Sequence, residues 1–232
     1  PATVRLALAG SIGWGVGIWY FGEGLGGIAS GHALMLTGAP GAALLYIVLA
    51  VALWPKVVQG RNRKTVRTAA VAPWLPMAWA ILWIVSALFN ALPGQNTAAA
   101  MAQAVDGNAD GAPGWLATID HEVARGMHGL GIGVVVGLVA IQLLIGISGL
   151  ARGWIRTASI WAGALLSLGF WAVGQSFGEL YSGQATDPST AVVVLLMGAA
   201  VLAAKREGPA DVVIESRQPA GVRSFASLRR AA

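Results

Sequence analysis

Six long apolar segments, separated by shorter polar stretches, dominate the pattern of the chain. A bilayer core about 30 Å thick needs roughly 17–25 apolar residues per helix, and each segment reaches or approaches that length. We therefore predict an all-α membrane protein with six transmembrane helices. The predicted spans cover residues 4–21, 40–57, 70–91, 130–151, 155–175 and 188–204.

The first and fifth predicted spans lead into the same glycine-rich pattern. The stretch WYFGEGLGGIASGHA at residues 19–33 aligns without a gap with WAVGQSFGELYSGQA at residues 171–185, and a four-residue gap then aligns Pro40 with Pro188. Two copies of such an elbow between apolar segments predict a duplicated hairpin, at residues 4–57 and 155–204. Because the copies are four spans apart, they share one orientation, so we expect a parallel repeat.

Basic and acidic residues separate between the two predicted sides of the bundle. The basic side carries Arg5, Lys56, Arg61, Arg63, Lys64, Arg67, Arg152, Arg156 and the tail. The other side carries Glu23, Asp106, Asp110, Asp120, Glu122, Glu179 and Asp187, against the single base Arg125. The positive-inside rule therefore places both termini in the cytoplasm of a multi-pass protein.

Composition supports a protein of the lipid bilayer. The chain has 232 residues, of which 56% are hydrophobic and 11% charged, whereas a soluble domain is roughly 25% charged. The absence of cysteine excludes iron–sulfur clusters and covalently attached haem. The net charge of +5 and the pI near 10.2 fit cytoplasmic loops facing lipid rather than a nucleic-acid partner, for which no binding motif is present.

The chain divides into a membrane domain and a tail. Residues 1–206 form the predicted six-span domain, and residues 207–232 form a flexible, basic cytoplasmic tail. An outer loop at residues 92–128 is the one sizeable piece outside the membrane. We predict two short helices in this loop, at residues 97–105 and 115–128, with the second running straight into the fourth span.

Glycines at helical spacing mark two candidate packing faces. Gly129, Gly133 and Gly137 make two small-xxx-small steps, and Gly13 and Gly17 make one. Helices in lipid associate by close backbone approach at such residues. We expect these faces to pack inside the bundle, with a seam between two copies of the chain as the alternative.

The elbows supply the candidate solute-binding residues. Glu23 and Gln175 occupy matching positions, as do Ser30 and Ser182. An ionisable group at membrane depth normally faces protein or water, so Glu23 and Gln175 are expected to flank a central site under the repeat axis. The alternative is that Glu23 lies at the water boundary and binds the backbone of the elbow.

Histidine and methionine residues on the predicted outer side indicate a candidate copper-like metal site. The candidate ligands are His32, Met35, His121, Met127 and His128, because imidazole and thioether together suit copper. His121 and His128 are seven residues apart, which is about 10 Å along a straight helix. That separation is too large for one ion, so packing at the interface is the alternative.

A second metal pattern lies in the outer loop. Asp106, Asn108 and Asp110 match the opening of an EF-hand calcium loop, including a glycine at the sixth position. The twelfth position is Ala117 instead of the bidentate glutamate. A weak calcium-like site and a solvated turn are therefore both open.

No catalytic set assembles from the sequence. Gly22, Gly24 and Gly27 satisfy GxGxxG, but a dinucleotide site also needs a preceding strand and a cytosolic helix. Nucleophile elbows, zinc-protease motifs and P-loops are absent from the sequence. The sequence therefore favours a non-enzymatic protein.

The two elbows, GEGLGGIASGHALMLTGAPGAALLY and GQSFGELYSGQATDP, together with PGWLATID, resemble polytopic membrane proteins common in actinomycetes. The resemblance implies a bacterial plasma membrane and brings with it no substrate and no active residue. We expect an accessory or scaffold subunit of a larger membrane complex, with other subunits or copies of itself as partners. The alternative is a transport protein for a small solute or a metal ion, with its site under the elbows.

Overall fold

The computed structural model describes residues 2–59, 64–67, 72–94, 97–183, 185 and 187–203. This part of the chain is helical, apart from one short antiparallel hairpin of two strands. The predicted tail at residues 207–232 lies outside the described residues, as do Arg61 and Arg63. The helices are α1 (Ala2–Gly17), α2 (Ala42–Ala52), α3 (Leu75–Asn90), α4 (Ala98–Asp106), α5 (Gly114–Leu130), α6 (Ile132–Gly149), α7 (Trp154–Gly169) and α8 (Thr190–Ala203).

The prediction of a helical fold is confirmed, and each predicted span contains one helix. Among the described residues, two stretches are long and apolar enough to cross a membrane, Ile132–Gly149 and Trp154–Gly174. The apolar helices α2, α3 and α8 are shorter. Length and composition alone therefore single out two spans.

The second predicted span ends earlier than expected. Helix α2 stops at Ala52, three residues before Pro55, and strand β1 (Lys56–Gln59) follows. Proline disfavours helical backbone at the residue before it, so it marks a natural limit for α2. Strand β1 pairs with β2 (Lys64–Arg67) in an antiparallel register that sets Val57 opposite Val66. The prediction that the span reaches residue 57 is wrong at this end, and the hairpin was not predicted.

The core forms around Trp79 on α3. This side chain is fully buried, and its indole Nε1 donates to the Ser159 hydroxyl 3.3 Å away on α7. Glycines on three other helices leave room for its ring: a Cβ added to Gly149, Gly163 or Gly198 would press on it. The Trp79 ring thus fills the space between α3 and helices α6, α7 and α8, which lack side chains where the indole lies.

The predicted glycine faces do not pack inside the bundle. Among the described residues, no atom outside their own helical turns lies within 4 Å of a Cβ built on Gly129, Gly133 or Gly137, and the same holds for Gly13 and Gly17. The expectation of intrachain packing is wrong for these residues. The glycines that pack are those facing Trp79, because a large ring needs the space that a missing side chain provides.

The outer segment forms the two predicted short helices. The Thr97 hydroxyl accepts a hydrogen bond from the backbone N–H of Ala100 at 3.1 Å and caps α4. Helix α5 does not continue into α6, because Gly131 adopts φ 56° and ψ −139° between them. That conformation is open to glycine and costly for other residues, so a glycine hinge replaces the predicted continuous helix.

Candidate functional site: a cavity between two elbows

The two elbows, defined as residues 23–41 and 175–189, are closed by the same tryptophan contact. In the first, the Trp19 indole donates to the carbonyl oxygen of Pro40 at 2.8 Å. In the second, Trp171 donates to the carbonyl oxygen of Pro188 at 2.9 Å. Each tryptophan lies in a π-helical turn that extends the preceding helix. The two copies therefore make the same closing contact at matching residues.

Both elbows then make a left-handed turn of four residues. Residues 24–27 have φ between 55° and 81°, and the matching residues 176–179 have φ between 43° and 65°. In the second copy, three of the four carry side chains, including Glu179. Left-handed backbone costs such residues roughly 1–2 kcal/mol each. Strain of this kind is concentrated at functional sites, where the surrounding structure maintains it.

The matching polar residues Glu23 and Gln175 cap the helices that follow the elbows. The Glu23 Oε1 atom accepts from the backbone N–H of Ala43 at 3.0 Å, near the start of α2. The Gln175 Oε1 atom accepts from the backbone N–H of Ala191 at 3.1 Å, near the start of α8. One oxygen of each side chain therefore accepts a hydrogen bond from a backbone N–H in the first turn of the next helix, where N–H groups have no partner within the helix.

Hydrogen bonds from the second elbow and α8 join the two copies to each other. The Gln175 Nε2 donates to the carbonyl oxygen of Met35 at 3.2 Å. The Thr190 hydroxyl, at the start of α8, donates to the carbonyl oxygen of Gly38 at 2.6 Å. Both donors are largely buried, so these bonds fix the spacing between the elbows where water does not compete.

A cavity of about 470 Å³ lies between the elbows. Glu23 and Gln175 line it together, as the matching positions predict. The described lining residues include three carboxyl groups and one imidazole, and no lysine or arginine. The side chains that set its polarity are Glu23, His32, Thr37, Gln175, Glu179 and Asp187.

Glu23 is the least satisfied polar group of the cavity wall. Its Oε2 atom is buried and has no hydrogen-bond partner. Burial raises the pKa of the Glu23 carboxyl because it penalises the charged form, and Asp187 raises it further. The hydrogen bond from Ala43 acts in the opposite direction. The carboxyl group therefore has backbone donors at the start of α2, while the described cavity lining offers it no lysine or arginine.

The two serines predicted as solute ligands lie elsewhere. The Ser30 hydroxyl donates to the carbonyl oxygen of Gly27 at 2.9 Å, and Ser182 donates in the same way to Glu179 at 2.8 Å. Both side chains are exposed and neither lines the cavity. Their shared role is to bond the backbone three residues earlier and so hold the elbow turn.

The copper-like candidates are not brought together. His32 lines the cavity between the elbows, whereas His121 and His128 line a separate cavity between α4 and α5. Met35 is buried, and its backbone carbonyl serves Gln175. Across the described ranges, no three His, Cys, Asp or Glu side chains meet in a metal-binding group.

Two of the calcium-like candidates, Asp106 and Asn108, also bond to other protein groups. The Asp106 Oδ1 atom pairs with the His121 Nδ1 atom at 2.7 Å, and the Asn108 amide donates to the carbonyl oxygen of Val173 at 3.2 Å. Asp106 ends α4, and residues Gly107–Ala109 form a 3-10 turn. The segment is therefore helical where an EF-hand would be a loop. Its contacts join α4 to α5 and to the π-helical turn that follows α7.

Sequence reasoning did not find three acidic features of the site and its surroundings. Glu179 and Asp187 join Glu23 at the cavity, although the position matching Glu179 in the first copy is Gly27. Asp120 on α5 is fully buried, and neither carboxylate oxygen has a hydrogen-bond partner in the part of the chain that the structure describes. Burial raises the pKa of Asp120, while nearby His121 opposes the shift. For Asp120, the one available sequence signal was its spacing: it lies four residues from both Leu116 and Ala124, on an otherwise apolar face of α5.

The fold and the cavity define a class of architecture: a helical bundle in which two elbows with matching tryptophan contacts line an open, polar and acidic cavity. Comparison with models of protein families, with curated proteins and with solved structures finds no match to this chain. A functional assignment must therefore come from the geometry of the cavity.

Proposed function

We propose that this chain is an integral membrane protein that binds a small polar solute in the cavity between its elbows. The observation that carries the proposal is the cavity itself, which both copies of the repeat line and whose wall includes the Glu23 and Gln175 side chains. Its volume of about 470 Å³ falls within the range of small-molecule sites, roughly 300–1,000 Å³.

The surface of the bundle supports a membrane location. Large apolar side chains are exposed along the helices, among them Trp14 at 75%, Leu144 at 67% and Leu165 at 68%. Such continuous exposure is a liability in water and the normal condition in lipid. We assign six spans, formed by α1, α2, α3, α6, α7 and α8, in the plasma membrane of a bacterium of the actinomycete type.

The short helices are compatible with this assignment. Helix α2 has 11 residues and so rises only about 17 Å, less than the bilayer core of about 30 Å. The elbow that precedes it supplies the remaining depth. Non-helical backbone at that depth is tolerated where it is buried in protein or lines a cavity, as it is at the buried residues 33–36 and at the cavity-lining Gly26 and Gly178.

The charges give the orientation. Arg5 donates to the carbonyl oxygen of Pro55 at 3.3 Å, so the start of α1 and the end of α2 lie at one end of the bundle. Arg152 and Arg156, which flank the α6–α7 turn, belong to the same end, opposite the elbows. The positive-inside rule places this end in the cytoplasm and the cavity on the outer side.

Thiol labelling tests the location and the binding together. The chain contains no cysteine, so a single Thr37→Cys change places one thiol at the cavity wall. In intact cells we expect a membrane-impermeant maleimide to label Thr37→Cys and to leave the control Gln59→Cys unlabelled until the cells are opened. A small-molecule extract from the host bacterium should slow labelling at position 37 at least severalfold. Equal labelling of both thiols would contradict the orientation, and no protection would contradict solute binding.

A second proposal is the accessory subunit of a membrane complex. The open glycine face on α6 favours it, because Gly133 and Gly137 are exposed and nothing in the described chain covers them. A close-packing helix of another subunit would fit such a face. Under this proposal the protein purifies with a stoichiometric partner, and Gly133→Leu releases that partner without lowering thermal stability.

A further inference from the structure

The outer helices α4 and α5 form a pair that reaches the cavity through the turn that joins them. In this turn, Asn108 lines the cavity between the elbows, and its amide donates to the carbonyl oxygen of Val173 at 3.2 Å. At the start of α5, the Trp115 ring lies 6.0 Å from the Phe177 ring of the second elbow. The pair is therefore one wall of the cavity and is docked on the second elbow.

Asp120 lies on the side of α5 that packs on the bundle. It shares a stripe at helical spacing with the buried Leu116 and with Val123 and Met127, which pack against the core. The basic side chains of α5 lie on another side, where they line the cavity between α5 and α4: His121, Arg125 and His128. The fully buried Asp120 carboxyl is therefore enclosed at the seam between the outer pair and the bundle.

The position of Asp120 makes the docked arrangement less stable. Neither of its carboxylate oxygens has a hydrogen-bond partner among the described residues. A buried polar group without a partner destabilises the state that buries it, most of all when it is charged. Opening of the seam would return this carboxyl to water. Glycines with left-handed backbone lie beyond each end of the pair, Gly94 with φ 87° and Gly131 with φ 56°, where a few residues can absorb a hinge motion.

We propose that the α4–α5 pair is a movable wall of the cavity, that it swings about Gly131, and that the buried Asp120 keeps its docked position only marginally stable. This inference rests on the proposed solute-binding function and adds a means by which that site opens and closes. In the open state Asn108 leaves the cavity. The fully buried Met101 and Val105 of α4 lose their apolar contacts on opening, so the docked state remains the more populated one.

Opening should become more favourable as the pH rises. Burial raises the pKa of Asp120 in the docked state, and nearby His121 opposes the shift. The docked state therefore holds the proton more tightly than the open state, in which Asp120 titrates at its ordinary value. Stabilisation of the docked state is complete below that ordinary value, and it is lost as the pH rises from there through the raised value.

Few other groups titrate near Asp120. The elements that pack closely on α5 are α4, the turn Gly107–Ala109, the turn Phe170–Gly174 and α6. They contribute one titratable side chain, Asp106, which pairs with His121. The remaining charged or titratable groups belong to α5 itself and are exposed: His121, Glu122, Arg125 and His128.

The test measures opening of the seam by the rate at which a small maleimide labels Val105→Cys in the full chain in nanodiscs. Position 105 is fully buried and the chain has no cysteine, so labelling requires opening. At each pH the rate is divided by the rate for Val105→Cys combined with Asp120→Asn, which cancels the titration of the thiol. We expect this ratio to rise about fivefold or more between about pH 4.5 and about pH 8.

Three further variants separate the seam from other effects. Glu122→Gln makes the same change from acid to amide at an exposed position of α5, so it should leave the labelling of Val105→Cys unchanged. Val193→Cys places a thiol at a fully buried position of α8 and reports global unfolding, so Asp120→Asn should not alter its labelling. Asp120→Leu removes the unpartnered carboxyl and should slow the labelling of Val105→Cys at neutral pH by about fivefold or more.

Three outcomes overturn the inference. The first is a ratio that does not change with pH, and the second is a Val105→Cys thiol that no background labels. The third is an equal response of Val193→Cys to Asp120→Asn, because the effect would then be global and not confined to the seam. Failure of the broader solute-binding proposal has a different signature, which is the absence of extract protection at Thr37→Cys.

Discussion

A methyl group on Gly26 is expected to open the first elbow, whereas the same group on Gly24 should cost only backbone strain. Both glycines are left-handed, with φ of 65° and 55°, so alanine is disfavoured at either by about 1–2 kcal/mol. A Cβ on Gly26 would also overlap the carbonyl group of Pro40, while one on Gly24 meets nothing within 4 Å. Backbone atoms cannot rotate away as a flexible side chain can.

Gly26→Ala should therefore be destabilised by about 3 kcal/mol or more in total, and Gly24→Ala by about 1–2 kcal/mol. For a chain of this size the larger loss lowers Tm by roughly 6–12 °C. Intrinsic tryptophan fluorescence during heating in nanodiscs reports both values. Near-equal Tm values for the two variants would mean that the elbow is not closed against Pro40. Gly178→Ala in the second copy should resemble Gly26→Ala, because its Cβ would lie 2.9 Å from the Pro188 carbonyl oxygen.

The second large effect is expected at Gly163 in the core. A Cβ there would press on the fully buried rings of Trp79 and Trp83, with Trp83 Cζ2 at 2.9 Å. Overpacking a closed core costs about 1–3 kcal/mol and occasionally more, and two rigid rings place this site at the upper end. We expect Gly163→Ala to lower Tm by roughly 6–12 °C and to shift the maximum of tryptophan emission to a longer wavelength.

Gly137→Ala is the matched control for the core variant. It makes the same chemical change on an apolar helix, but at a position with no neighbour within 4 Å, so its Tm should remain within a few degrees of wild type. Trp79→Phe in the Gly163→Ala background should restore part of the loss by shrinking the ring. If Gly163→Ala and Gly137→Ala were equally stable, the packing of α7 on α3 would be contradicted.

The elbows could be predicted from sequence because their shape depends on residues that pattern reasoning identifies. The alignment paired Trp19 with Trp171 and Pro40 with Pro188, although the hydrogen bond that joins tryptophan to proline in each copy was not predicted. A positive φ at Gly26 and Gly178 is what glycine permits. The polar difference between the copies was also visible, although the sequence could not show which Glu23 oxygen lacks a partner.

Packing between distant helices could not be predicted in the same way. Small-xxx-small steps are present both at Gly133, which is open, and at Gly163, which lies four residues from Ser159 and would press on Trp79 if it carried a Cβ. Which glycine faces a ring depends on how helices far apart in sequence approach each other. Glu179 was missed for a related reason, since its strained backbone and its place on the cavity wall follow from the tertiary structure.

The central claim, that the cavity between the elbows holds a solute, is tested most directly by native mass spectrometry of the protein released from nanodiscs. After exposure to a small-molecule extract of the host bacterium, the wild-type chain should retain one solute per chain. Thr37→Trp, which fills the cavity wall, should retain none while keeping its Tm. Equal retention by both proteins, or a wild-type spectrum without any added solute mass, would contradict the account.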